Sequence, residues 1–219
     1  MMDALKITAR LYNGFAAADD WSPNLDGILA YWQLRLADPD GFLTTQGRSD
    51  LMEPADGLPL EKIADGDLWW WACSSPIYAL HQTQRTYFHR RFDDRHERFL
   101  PEGTKTVSTA AGPFKAYRKS LLFRVTDAVV WHCVGDEAAL RALLAHCHHI
   151  GAKPSQGYGR VREWRVEPGD LKTALYHRPL PVDYARLKGI EGPVMRWGIR
   201  PPARIAANQA ECIMPPCAA

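Results

Sequence analysis

Gly151-Ala152-Lys153-Pro154-Ser155-Gln156-Gly157-Tyr158-Gly159-Arg160-Val161 is the stretch on which the reading of this chain turns. It follows an amphipathic helical pattern and precedes a strand-like run, 160–166. Three glycines within nine residues let backbone amides approach a neighbour with no Cβ atoms in the way. Lys153 and Arg160 bracket them with positive charge, so an anion is the natural partner. Dinucleotide fingerprints and P-loops both fail here, because each needs a strand before its glycines and a helix after them. A glycine C-cap followed by an ordinary tight turn accounts for the same residues equally well.

Immediately upstream, Asp136 caps a helix whose Leu140, Leu143, Leu144 and Cys147 fall at i, i+3, i+4 and i+7. His146, His148 and His149 crowd its last turn, and Gly151 is its expected stop. Arg160-Val161-Arg162-Glu163-Trp164-Arg165-Val166 then reads as a strong strand. At the other end of the chain, Leu5 to Leu11 alternates apolar and polar residues, the signature of a half-buried first strand. Ser22-Pro23 predicts an N-cap and an N1 proline, with Leu25, Ile28, Leu29, Trp32 and Leu36 forming one apolar helix face. Asp38-Pro39-Asp40-Gly41 ends that helix, and 42–67 reads as a long loop with room for a short helix.

Leu68-Trp69-Trp70-Trp71-Ala72-Cys73 lies between Gly66-Asp67 and Ser74-Ser75-Pro76 and suits a central strand buried on both faces. Alternate strand residues face opposite sides, so the Trp triplet belongs to the core rather than to a base-stacking platform. Two further strand-like runs, 121–125 and 128–134, follow. Without loops the order is strand, helix, strand, strand, helix, strand. This predicts an α+β, ferredoxin-like (RRM-like) βαββαβ domain with a glycine-rich loop before its last strand. One domain over 1–219 is expected, with 168–219 an irregular, proline-rich tail packed on it apart from a strand near 194–199.

The segment 84–124 has a different character. Ten basic residues face four acids there, a balance of +6 in a chain whose total is only +2. Tyr87, Phe88, Phe92, Phe99, Phe114 and Tyr117 are interleaved with the cations, and glycine-containing 101–113 reads as a flexible tip. Two basic, aromatic arms around a mobile turn predict an inserted thumb hairpin that grips a phosphate backbone. A solvated charged face is the plainer alternative. Arg85, Arg90, Arg91, Arg118 and Lys119 are the candidate cations.

Five cysteines form no disulfide spacing, no secretory pattern opens the sequence, and no apolar run approaches the ~20 residues of a membrane span. A cytoplasmic protein with reduced thiols and no membrane partner is expected.

The helix–glycine loop–strand order within this fold resembles the CRISPR-associated RAMP superfamily. Ser155-Gln156-Gly157-Tyr158-Gly159-Arg160 matches its Ser-x-Gly-aromatic-Gly core followed by a basic residue. Leu25-Asp26-Gly27-Ile28-Leu29-Ala30-Tyr31 is similar to the "Leu-Asp-x-Leu-Leu" helix of one branch, the Cas-five-like subunit of type IV CRISPR effector complexes. The resemblance implies a non-catalytic subunit capping the 5′-handle end of an effector ribonucleoprotein used against foreign DNA. It implies contact with the CRISPR RNA handle, the filament backbone subunit and the large subunit, and with target DNA only indirectly. By this carry-over Gly151, Ser155, Gly157 and Gly159 contact RNA, and Gln156 and Tyr158 lie in the same loop; Lys153 and Arg160 are added from their charge.

The main rival is a RAMP endoribonuclease that processes precursor RNA, for which His81, Tyr87, His89 and Lys115 are the candidates. Such enzymes usually place a histidine close after the first helix, whereas the first histidine here is His81. No metal or cofactor is expected: His132-Cys133 and His146-Cys147-His148-His149 lack a Cys-x-x-Cys companion. A self-standing RRM is disfavoured because its aromatic RNP signature is missing.

Overall fold

In the computed structural model, which describes residues 2–40, 56–100 and 107–216, the sheet is built around the first strand. β1 (Met2–Leu11) pairs antiparallel with β7 (Ala128–Asp136) on one side and β8 (Val161–Pro168) on the other. Its alternation does what the sequence predicts: Leu5, Ile7, Ala9 and Leu11 are buried on one face, opposite Cys133, Trp131 and Val129 of β7. Two helices close that face. α1 (Leu25–Ala37) contributes Leu25, Leu29 and Ala30, and α2 (Glu137–Leu144) contributes Leu140 and Leu144. Each fully buried Leu or Ile stabilises the fold by roughly 1.5–3 kcal/mol. Leu36, expected on the buried stripe of α1, is exposed in the helix's last turn.

The start of α1 differs from expectation. Asn24, not Ser22, stands at the N-cap, and its side chain makes no capping bond. The Ser22 hydroxyl instead donates to Asp19 (3.1 Å), and the Pro23 carbonyl accepts the Trp131 indole N–H (3.0 Å). Those two bonds fix Ser22 and Pro23 ahead of the helix. At α2, by contrast, Asp136 caps as read, its carboxylate accepting the Ala139 amide at 2.8 Å.

The Trp triplet is core, divided between two cores. β4 (Leu68–Trp71) forms a hairpin with β3 (Lys62–Asp65), a strand within the segment expected to be loop. Trp71 packs under β1, whereas Trp70 points the other way into a second apolar cluster. Just beyond β4 the chain pairs with β7 at isolated antiparallel bridges, Cys73 to Cys133 and Ile77 to Val130, in place of a continuous strand. Pro76 lacks the N–H a continuous ladder would need there.

The inserted segment is a long hairpin. β5 (Gln82–Arg90) pairs with β6 (Tyr117–Val125), whose other edge carries β2 (Phe15–Ala17). Phe92 and Phe114 meet edge-on at 5.1 Å and tie the far ends together. Of the expected flexible tip, 101–106 lies outside the described residues.

The segment from 168 onward is not irregular. α3 (Leu171–Tyr176), β9 (Leu180–Pro181), α4 (Val182–Leu187), β10 (Val194–Gly198) and β11 (Gln209–Ile213) include a three-stranded antiparallel sheet, β10-β11-β9. Leu180, Ala185, Ile199, Cys212 and Ile213 gather around Trp70. Each short element supplies one to three apolar residues, too few to show a period in sequence. Arg178 bolts this unit to the first core: its guanidinium donates to the carbonyls of Trp71, Cys73 (3.1 Å) and Ile199 (2.7 Å). Among the described residues no helix is long and apolar enough to cross a membrane.

Candidate nucleic-acid interface

The glycine loop adopts left-handed backbone at Gly151, Lys153, Gly157 and Gly159, with φ of +74°, +60°, +81° and +69°. What two of the glycines admit is the protein's own chain. A Cβ on Gly151 would lie 2.5 Å from the Ala16 carbonyl oxygen, and one on Gly159 would lie 1.8 Å from that of Ile150. A Cβ on Gly157 would meet nothing. Several loop amides are also used internally: Ala152 donates to Ala16 (2.7 Å), Gly159 to Gly14 (3.0 Å), and Gln156 and Gly157 to carbonyls of the turn itself. An anion at this loop therefore meets mainly side chains. Ser155 and Gln156 are exposed on the short 3₁₀ turn Pro154–Gln156, and Gly157 is exposed directly after it.

α2 also ends earlier than its pattern suggests, at Leu144, so Gly151 is not its cap. His146, His148 and His149 follow the helix instead of lining its last turn. His149 bridges Arg160, and burial, with Arg160 and His148 assisting, holds its imidazole below the ordinary histidine range.

The loop is seated on the thumb hairpin. The Tyr158 hydroxyl lies 3.2 Å from Thr86 Oγ1, and its ring centre lies 5.0 Å from that of Phe123. Lys153 Nζ stands 3.7 Å from the centre of the Phe88 ring. Directly opposed residues of an antiparallel ladder share a face, so the register sorts the hairpin's side chains. Thr86, Phe88 and Arg90 of β5 oppose Leu121, Lys119 and Tyr117 of β6, on the face where the loop sits. Arg85, Tyr87 and His89 oppose Leu122, Ser120 and Arg118 on the other face.

The predicted cations thus divide. Lys153, Arg90 and Lys119 share one face with Phe88 and Tyr117; the Arg90 guanidinium carbon and Lys119 Nζ lie 5.9 and 5.1 Å from the Tyr117 ring centre. Arg118 stands over Tyr87 at 3.8 Å on the reverse face, where Arg85 also lies. Arg91 is exposed just past the end of β5. Arg160 stacks over Tyr12 at 5.0 Å, near the end of β1. Tyr12 escaped the sequence reading; its signal is a large aromatic directly before the Asn13-Gly14 turn. Arg124, counted among the basic residues of the thumb, is buried, donates to the Ala17 carbonyl and pairs with Asp20 at the hairpin root.

Of the residues considered for cleavage, Tyr87 and His89 share a face of β5, but His81 is far from them. His81 sits before β5 and contacts Asp127 at 3.2 Å, while His89 is near the far end, eight residues or ~26 Å along an extended strand. His132 and Cys133 face opposite sides of β7. Cys133 is in the core, and His132 Nδ1 accepts the Asp170 amide at 2.9 Å, with burial lowering the imidazole's pKa. Among the described residues no group of three or more His, Cys, Asp or Glu is arranged to hold a metal.

The outer face of the central sheet offers no RRM-type platform. Register places Lys6, Thr8 and Arg10 beside Glu167, Arg165 and Glu163 on one side and His132, Val130 and Ala128 on the other, with no aromatic among them. α3 covers part of that face, its Ala174 packing against Ala72 and Val134.

No curated protein compared with the chain matches it. The sequence profile of a family described as CRISPR type IV associated protein Csf3 matches residues 3–214, almost the full length, and the chain belongs to that family.

Proposed function

We propose that this chain is the non-catalytic RNA-gripping subunit at the 5′-handle end of a cytoplasmic type IV CRISPR effector ribonucleoprotein. Family membership supports a subunit of such a complex. The observation that carries the finer reading is the seating of the glycine loop on one face of the thumb hairpin. That contact gathers Lys153, Arg90 and Lys119 around the rings of Phe88 and Tyr117. Cations that neutralise phosphates beside rings that stack bases are what single-stranded RNA requires.

A ferredoxin-like βαββαβ scaffold is part of this proposal. Its support is the strand order β8-β1-β7, the bridges from 73 and 77 to β7, and two helices on one face. In this reading the loop and the thumb form a clamp on the handle, leaving guide bases free to read target DNA by pairing. Other surfaces meet the filament backbone subunit and the large subunit.

Photo-crosslinking tests the clamp. Handle RNA carrying 4-thiouridine is bound to the chain or its complex, and adducts are mapped by mass spectrometry. Adducts on Phe88, Tyr117 or 154–158 are expected. Adducts confined to the outer face of β1 and β8 would overturn the proposal.

A further inference from the structure

Cys73 and Cys133 lie 60 residues apart in sequence and directly opposite each other in the fold. The hydrogen bonds around them fix the kind of pair they form. The Ser74 amide donates to the His132 carbonyl at 2.7 Å, and the Val134 amide donates to the Ala72 carbonyl at 2.9 Å. Both bonds join the flanking residues and neither involves the cysteines themselves, which defines a non-hydrogen-bonded antiparallel pair. In such a pair the Cα atoms stand ~4.5 Å apart and the two side chains are close neighbours on one face. A disulfide spans Cα atoms roughly 4.4–6.8 Å apart, so the backbone already meets its requirement.

Both cysteines are free and buried in the first core, Cys73 2% and Cys133 0% exposed. In the closed fold they are unreactive. Burial pushes both thiols up, Cys133 to about 12, and only a thiolate attacks an oxidant. Access comes from the way their segment is attached. β1 is held to β7 by a continuous ladder from Met2 to Arg10, whereas the chain beyond β4 is held at isolated bridges with Pro76 between them. A segment with so few backbone bonds to its sheet opens locally before the domain unfolds. Closing then returns each sulfur to its partner.

The other described cysteines have no such partner. Cys212 lies opposite Met195 and Pro181, and the Cys147 thiol donates to the His149 carbonyl at 3.3 Å.

The position gives a link between the two sulfurs a consequence. Cys73 precedes β5 and Cys133 lies in β7, so the loop they would close contains both strands of the thumb. Arg178, which holds the C-terminal unit to the first core, has its Nη1 3.7 Å from Cys73 Sγ. Thumb root, central sheet and C-terminal unit therefore meet at this pair.

We propose that Cys73 and Cys133 form an oxidation site, a thiol pair that hydrogen peroxide converts into a cross-strand disulfide clasping the root of the thumb. The inference stands whatever ligand the thumb holds. One thiolate attacks a peroxide oxygen; the O–O bond breaks, the leaving hydroxide takes a proton to become water, and a sulfenic acid remains. The second thiol attacks that sulfur, the S–O bond breaks, the S–S bond forms, and a second water leaves. Two thiols together lose two electrons and two protons, and the peroxide is reduced to two waters.

The full chain is incubated with hydrogen peroxide at neutral pH, catalase removes the excess, and free thiols are blocked with iodoacetamide in urea. Digestion without reduction and mass spectrometry follow. A linked peptide pair carrying Cys73 and Cys133, lost on adding dithiothreitol, is expected, with Cys147 and Cys212 alkylated. Urea well below the unfolding midpoint opens the segment and speeds the reaction. Closing a loop of about 60 residues raises the melting temperature by on the order of 10 °C. Cys133→Ala is expected to show neither the linked pair nor the upward shift, whereas Cys212→Ala keeps both. Absence of the linked pair with and without low urea overturns the proposal, as does separate oxidation of Cys73 and Cys133 to sulfinic acids. A linked chain that melts no higher than the reduced one overturns the clasp.

Discussion

If RNA lies on the loop-side face of the thumb, neutralising that face changes the salt dependence of binding and neutralising the reverse face does not. Arg90→Gln with Lys119→Gln removes two of the three cations gathered around Phe88 and Tyr117, leaving Lys153. Each phosphate neutralised on a single strand contributes about −0.7 to the slope of log K against log salt. Three contacts give a slope near −2.1, an affinity loss of about 18-fold between 50 and 200 mM salt. The double variant retains about −0.7 from this cluster, a loss of only about 2.6-fold over the same range. Other cations add equally to both proteins, so the quantity to read is the difference of about 1.4. The control is Arg85→Gln with Arg118→Gln, which removes the same charge from the opposite face. Charges on the reverse face contact no phosphate of a strand lying on the loop side, so they release no counterions there and leave the slope unchanged. Fluorescence anisotropy with labelled handle RNA at four or five salt concentrations suffices. A slope change from the reverse-face pair as large as that from the Arg90/Lys119 pair would refute the argument from loop seating.

The two loop glycines that differ in surroundings are expected to differ in cost. Gly157→Ala meets open space and loses only about 1–2 kcal/mol of stability for its left-handed backbone, whereas Gly159→Ala adds a clash with the Ile150 carbonyl and costs clearly more by denaturant unfolding. Arg178→Met leaves the buried Asp26 carboxylate unpaired and frees the carbonyls of Trp71, Cys73 and Ile199; a loss of about 3–5 kcal/mol is expected by thermal or urea unfolding. Burial, with Arg178 only partly opposing it, raises the Asp26 pKa above 3.8. The folded state therefore holds a proton that the unfolded chain releases, and stability drains away as pH rises from about 3.8 through the raised value. Asp26→Asn removes that slope, and urea unfolding at several pH values checks it. Finally, the purified chain is expected to leave repeat RNA uncut on denaturing gels; site-specific cleavage that vanishes in His89→Ala would reverse the non-catalytic reading.

What could be read without coordinates follows from the range of the signal. The apolar faces of β1, α1 and α2 repeat at two or 3.6 residues, and each repeat lies within one element. The start of α1 was misplaced because Ser22 and Pro23 are engaged by Asp19 and by Trp131, the latter 108 residues away. The basic, aromatic thumb was legible as composition, yet not as two faces. Facing is set by the pairing of β5 with β6, and a slip of one residue would exchange Arg90 and Lys119 for Arg85 and Arg118. The C-terminal unit was illegible because its apolar residues converge on Trp70, which sits in another part of the sequence.

The glycine loop is the most instructive case, since its place between a helix and a strand is legible in the sequence and the neighbours of its glycines are not. Gly151 and Gly159 are closed against Ala16 and Ile150, and the amides of Ala152 and Gly159 are bonded to the 14–16 segment. The loop is thereby fixed to the same short strand, β2, that supports β6 of the hairpin. Lys153 and Tyr158 reach Phe88, Thr86 and Phe123 because both partners stand on that common support. The glycines thus hold a cation and an aromatic ring against the thumb, and in the proposed clamp it is those side chains that would grip the RNA. It follows that a substitution at Gly159 should weaken RNA binding in step with the loss of the Tyr158–Thr86 contact. Neutralising Lys153 should weaken binding with that contact unchanged.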